Sequence, residues 1–385
     1  RERLAGAPSR VPGPAGGPLT AAPIGNGLMP ARALRFLAGP AALAEVRERG
    51  LDPARIRLLA GASGGAKWLV LYGLDRVIMR ELVPRLEGPV HLIGSSIGTW
   101  RFACYAQADP LAAIDRLRDG YVYQHYSQRP DRAEITAKSR EILGHTLGPG
   151  GPAEILSHPA LRTHVMTNRA RGPAASERGL ALTAGLALAA AGNLLSRRSL
   201  RAFFTRALFS DPRDRAPFAH ADDFPLRVHA LSQDNLAPAI LASGAIPLVI
   251  EGMRDIPGAA PGVYRDGGII DYHLDLPLSA VDGIALYPHF YPHVIPGWFD
   301  KRLSWRRPAR VHMDRVLIMA PSAEFVAGLP GGHIPDRHDF HRYDPATRER
   351  HWKRAVAESA RLGDEFADVL ANGLPPERIE PLLPE

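Results

Sequence analysis

A chain of 385 residues with 45% hydrophobic content is long enough to bury a full core, as one large α/β domain or two smaller ones. Its formal charge of +7 rests on arginine, since lysine occurs only at Lys67, Lys138, Lys301 and Lys353; no zinc finger, RRM signature or long basic run gives that charge a nucleic-acid footprint, although it suits an anionic partner such as a phospholipid surface. The single cysteine, Cys104, excludes an internal disulfide and a cysteine zinc cluster, fits a reducing, cytoplasmic setting, and reads as a small buried apolar residue.

Residues 1–28 are rich in Gly, Pro and Ala without helical or strand periodicity and read as a disordered leader. The stretch Met29–Glu45 reads as a short amphipathic helix interrupted at Gly39-Pro40. Beyond it, short β-rich runs alternate with helical patterns, which predicts a mainly parallel sheet covered by helices. Arg55–Gly61 reads as a buried strand. A helical stripe through Trp68, Leu71, Tyr72, Val77, Ile78 and Leu82 follows, and Pro89–Gly94 is the next strand, closing a βαβ unit. A helix runs on from Thr99, and Asp109-Pro110 supplies the N-cap and first-turn proline of another. Further strands are expected at Thr163–Asn168, Leu226–Ser232, Gly262–Gly268, Gly283–Pro288 and Asp314–Pro321. Residues 344–373 form a closing helix with Asp344 as cap and Trp352, Val356, Leu362, Phe366 and Val369 along one face.

Residues 170–215 read as a helical insertion or cap. Gly179–Ser196 carries no charge, but half of it is Ala or Gly, so a buried helix or a lipid-facing cap is expected rather than a bilayer span. The following Arg201 and Arg206, with Phe203, Phe204 and Phe209, would suit an interfacial helix, while core packing with solvated arginines is the plainer reading.

Two turns satisfy GxSxG. In Gly94-Ser95-Ser96-Ile97-Gly98, a serine stands between an apolar run and a helix, where a sharp turn exposes the hydroxyl at the strand's carboxyl end beside the positive end of the helix. In Gly61-Ala62-Ser63-Gly64-Gly65-Ala66-Lys67, consecutive glycines stand where a helix begins, so two backbone N–H groups approach a negative atom closely, as an oxyanion hole requires. Neither turn matches GxxxxGK[ST] or GxGxxG, so no nucleotide or other cofactor is expected. A serine needs a base, and Asp266-Gly267-Gly268 follows a β-like run. The three histidines and two aspartates of Gly332–His341 fit neither HExxH nor a facial triad, and no metal is expected there.

Taken in order, Gly64-Gly65-Ala66-Lys67, Gly94–Gly98 and Asp266–Gly268, with Asn235–Gly252 ahead of the aspartate, resemble the patatin-like phospholipase family. The resemblance spans about Ile56 to Pro277 and departs from the family in Ala62-Ser63 and in Lys67, where arginine is frequent. It implies a single three-layer α/β/α domain over 29–385. It also implies a lipid acyl hydrolase that needs no cofactor and acts on phospholipids or related esters, peripheral to a membrane. Ser96 would be the nucleophile, Asp266 its base, the amides of Gly64 and Gly65 the oxyanion hole, and Lys67, Gly94, Gly98, Gly267 and Gly268 its supports. Two alternatives stand beside it. One is an α/β-hydrolase triad completed by His289, His293, His333, His338 or His341; the other is a patatin-fold lipid-binding protein without activity.

Overall fold

The computed structural model describes residues 32–220 and 223–382. The leader expected at 1–28 lies outside these residues. Among the described residues eleven strands form one mixed sheet surrounded by helices: β1 Leu34–Ala38, β2 Ile56–Gly61, β3 Val90–Ser95, β4 Leu161–Ala170, β5 Phe204–Ser210, β6 Leu226–Ala230, β7 Met253–Arg254, β8 Val263–Asp266, β9 Ile284–Pro288, β10 Val316–Pro321 and β11 Ile379–Pro381. The order across it is β11-β1-β10-β9-β2-β3-β4-β5-β6, with β8 on β4 and β7 on β8. From β10 to β4 the neighbours are all parallel, and β10, β9, β2 and β3 are largely apolar runs buried on both faces, as central parallel strands require. Antiparallel pairing at β1/β10, β4/β5, β4/β8 and β7/β8 makes the sheet mixed, around a centre that keeps the expected parallel pairing.

Strand β4 positions the site. Its first half, Leu161–Met166, pairs in parallel with Val90–Ser95 of β3, and its second half, Thr167–Ala170, pairs antiparallel with Asp266–Val263 of β8. The carboxyl ends of β3 and β8 therefore meet head to head at Met166 and Thr167. On the other side of β3, Gly94 is in register with Gly61 at the end of β2, so the turn after β2 opens at the same level. Ligands of open α/β sheets sit beyond such carboxyl ends.

Several expectations are corrected. Met29–Glu45 is not one amphipathic helix: Leu34–Ala38 is a sheet strand, and the helix begins after Gly39, at Pro40, whose missing N–H costs nothing in a first turn. Residues 170–215 are not wholly helical, because β5 belongs to the sheet and is buried along its length. Arg206 is neither interfacial nor solvated. It is fully buried and forks onto Asp271, with Nε to Oδ2 and Nη2 to Oδ1 both 2.7 Å, and also meets Asp223. The closing helix is two, Pro345–Glu358 and Ala360–Asn372, with Asp344 capping the first through the Thr347 amide at 3.0 Å. Among the described residues no helix is long and apolar enough to cross a membrane.

Candidate active site

Ser96 follows β3 as the residue before the helix Ile97–Tyr105 and has φ 53° and ψ −126°. A β-carbon is disfavoured at such angles, by about 1–3 kcal/mol, and the conformation persists because the surroundings dictate it. Gly98 is the reason the turn closes: a side chain there would overlap the Gly61 carbonyl on β2, and one on Gly94 would come within 2.5 Å of Thr99 Cα.

The Ser96 amide donates to Ser243 Oγ at 2.9 Å. Ser243 Oγ donates its one proton to Met166 O at 2.7 Å, so Thr99 Oγ1, 3.1 Å away, must be donor in that pair.

The Ser96 hydroxyl donates to Asp266 Oδ2 at 3.0 Å, and Asp266 Oδ1 accepts the Gly268 amide at 2.7 Å. Both residues are buried. Burial is the largest influence on Asp266 and raises its pKa to about 6, against the lowering effects of the Gly268 amide, the Ser96 hydroxyl, Lys301 and Arg337. Three further bonds hold the backbone of the aspartate's turn. Its amide donates to Ala245 O at 3.1 Å, and Asn168 Nδ2 donates to the carbonyls of Asp266 and Gly267, both at 2.9 Å.

The turn after β2 has a different geometry. The Ser63 amide donates to Tyr272 O and the hydroxyl to Ser95 Oγ, both at 2.9 Å, and Ser63 is buried. Gly65 carries the turn's positive φ, 57°, and starts a helical run. A side chain on Gly64 would come within 2.5 Å of the Phe290 ring. Among the described residues the amides of Gly64 and Gly65 have no acceptor.

Gly267 and Gly268 bring the Asp266 turn against both others. Added β-carbons would stand 2.7 Å from Ser95 Oγ and 2.5 Å from Ser63 Oγ. All three motifs therefore meet, and Ser63 is packed between them rather than paired with the aspartate.

Two of the chain's four lysines border the site. Lys67 Nζ lies 3.4 Å from Asp336 Oδ2, and burial lowers its pKa against that partner. Lys301 Nζ lies 3.8 Å from the centroid of the Tyr272 ring, and burial, then Arg337 and Lys67, lower its pKa to about 7. Nothing local in the sequence ties Lys301 and Arg337 to Asp266.

None of the five late histidines is hydrogen-bonded to Ser96 or Asp266 among the described residues. His289 Nδ1 accepts the Tyr291 amide at 2.8 Å, with burial pushing the ring's pKa down to about 3, and His333 pairs with Asp339 at 3.2 Å. Among the described residues no group of three His, Cys, Asp or Glu side chains could hold a metal ion. Cys104 is buried, and burial raises its thiol pKa.

No family model and no curated protein matches the chain. Among solved structures, the crystal structure of VipD from Legionella pneumophila aligns at 12% identity and a TM-score of 0.29, over 61% of this chain and 50% of VipD. The chain thus spans half of VipD's length.

Proposed function

We propose that this chain is a serine acyl hydrolase of the patatin-like type, a three-layer α/β/α enzyme that cleaves carboxylic ester bonds of lipids through Ser96 and Asp266 and works peripherally at a membrane. The observation that carries the reading is the direct 3.0 Å hydrogen bond from the Ser96 hydroxyl to Asp266, at a serine held in left-handed backbone geometry.

Asp266 takes the Ser96 proton as the oxygen attacks the ester carbonyl carbon, and the resulting oxyanion lies against the amides of Gly64 and Gly65. Collapse breaks the ester C–O bond, and Asp266 returns the proton to the departing alkoxide, leaving an acyl group on Ser96. Water then attacks the acyl carbon. Asp266 accepts its proton and passes it to Ser96 as the carboxylic acid departs. An ordinary aspartate, with pKa near 3.9, is a poor base for this task. The rise to about 6 brings it close to the pH at which it must work. A histidine is not required by this chemistry, and the late histidines are engaged elsewhere or lack a bond to the pair. Lys67, Lys301 and Arg337 add positive field around the developing negative charge.

The test is fluorophosphonate labelling with peptide mapping, run with a panel of phospholipid and short-chain ester substrates. The label is expected on Ser96 in the Gly94–Trp100 peptide. Label on Ser63, or neither labelling nor turnover of any ester, rejects the assignment.

A further inference from the structure

We infer that the outer face of the helix Gly179–Leu195, with Trp305 beside it, is a docking surface for an anionic lipid bilayer; its use in turnover rests on the acyl-hydrolase reading above. A helix at a protein surface ordinarily turns an apolar stripe inward and charge outward. This one has no charged residue in its 17 positions. Its inner face, through Leu182, Leu186 and Ala189, packs in one cluster with Phe204, Ile269 and Ile270. On the opposite face Leu180 and Leu195 are each 91% exposed, Leu188 57% and Leu194 59%. Single exposed leucines are unremarkable, but four on one face of one helix form a patch that needs an occupant.

Trp305, 66% exposed, is tied to the end of the same helix. Its neighbour Arg306 donates from Nη2 to Asn193 O at 2.9 Å, and Asn193 Nδ2 donates to Asp300 Oδ1 at 2.8 Å. Tryptophan is the side chain most at home where hydrocarbon meets water.

The rim argues for a bilayer over a second copy of the chain. Exposed Arg178 and Arg198 flank the helix, and exposed Arg302 and Arg307 flank Trp305. Two copies meeting through this face would set arginines against arginines, whereas anionic headgroups pair with every one of them. At 17 residues the helix is not long and apolar enough to cross a membrane, so it would lie in the interface plane. Placement favours use in turnover, because Ile269 and Ile270, under the inner face, directly follow the Asp266 turn.

The experiment is vesicle co-sedimentation of the full chain carrying Ser96→Ala, which leaves the lipid intact. Phosphatidylglycerol-containing vesicles are compared with pure phosphatidylcholine at low and high salt. Binding is expected on the anionic vesicles and should weaken with salt. Leu188→Asp/Leu195→Asp should lower the partition coefficient at least ~10-fold, and Arg178→Glu/Arg198→Glu should lower it roughly 10-fold or more on anionic vesicles. Leu180→Ser/Leu195→Ser serves as the milder pair if the aspartates prevent folding, judged by an unchanged thermal midpoint.

Absent binding to anionic vesicles, or leucine variants that bind like the parent, overturns the proposal. A concentration-dependent dimer in light scattering that the leucine variants dissociate gives the face to a second copy and also overturns it. The hydrolase reading is scored separately, by turnover of a soluble short-chain ester in the native-site protein. Its loss alone leaves docking standing, and docking's loss alone leaves turnover standing.

Discussion

The turns after β2 and β3 share a pattern, GxSxG, and a level in the sheet, with Gly61 in register with Gly94, yet they place their positive φ on different residues. After β3 the left-handed residue is the serine itself, Ser96 at φ 53°, and its hydroxyl points to a carboxylate. After β2 the left-handed residue is Gly65, two positions past Ser63, and the serine's hydroxyl is spent on Ser95. Moving the positive φ by two residues converts a turn that presents a side chain into one that presents backbone amides. The motif specifies spacing; the location of positive φ decides what the turn offers.

Ser96→Ala breaks the comparison most deeply. It removes the only hydroxyl bonded to Asp266 among the described residues, and ester turnover should fall by at least ~10⁴-fold with the thermal midpoint nearly unchanged. Steady-state kinetics on a soluble ester with the purified variant provides the check. Next in size is Gly65→Ala, which puts a β-carbon at φ 57° and should tilt the amides of the first turn, costing ~10²–10³-fold in kcat. A loss confined to KM would mean that these amides bind substrate without stabilising the oxyanion.

The two turns were legible in the sequence because their signals are local: glycines, a serine, and an apolar run on one side of each. Strands β2, β3, β9 and β10 were legible for the same reason, as largely apolar buried runs bounded by turn residues. What escaped was set by partners remote in sequence. Strand β5 carries Arg206 in its middle, and nothing nearby announces that Asp271 and Asp223 will neutralise it inside the sheet. Strand β1 was hidden by its join to a helix at Gly39-Pro40. The segment around Ser243 stood out by resemblance, but its task did not. It carries both Ser243, which holds the Ser96 amide, and Ala245, which holds the Asp266 amide. The outer face of Gly179–Leu195 was equally unreadable, since a helix apolar all round has no periodicity to tell one side from the other.

Ser243→Ala sharpens the comparison by loosening only the second turn. The variant leaves the Ser96 amide without its acceptor and Met166 O without that donor, so Ser96 should shift while the first turn stays. A kcat loss of up to ~10²-fold at nearly constant KM is expected, with the acid limb of the pH profile unmoved. A rise in KM alone would make Ser243 a packing residue.

Under the proposed mechanism the acid limb itself reports Asp266. With its pKa near 6, kcat/KM on a soluble ester should be level above that pH and fall by about tenfold for each pH unit below it, as the base becomes protonated. The linked stability effect has the opposite direction. The folded pKa lies above the unfolded value of about 3.9, so this group's contribution is fully present below about pH 4 and is lost as pH rises to 6; the loss is at most ~3 kcal/mol. Asp266→Asn should remove that slope from denaturant titrations across pH 4–8 and abolish turnover. An unchanged slope would assign it to another carboxylate.

Ser63→Ala is the smallest change and the most discriminating, because it is the same substitution at the equivalent position of the same motif. It removes one buried hydroxyl and its bond to Ser95 Oγ, costing about 1–3 kcal/mol of stability at most. The amides of Gly64 and Gly65 and the bond from Ser96 to Asp266 do not depend on that hydroxyl, so turnover should stay within ~10-fold of the parent and fluorophosphonate should still label Ser96. Where the paired variants instead lose turnover equally, the first turn contributes through its serine as well as its backbone. Loss in Ser63→Ala with retention in Ser96→Ala would exchange the roles of the two turns altogether.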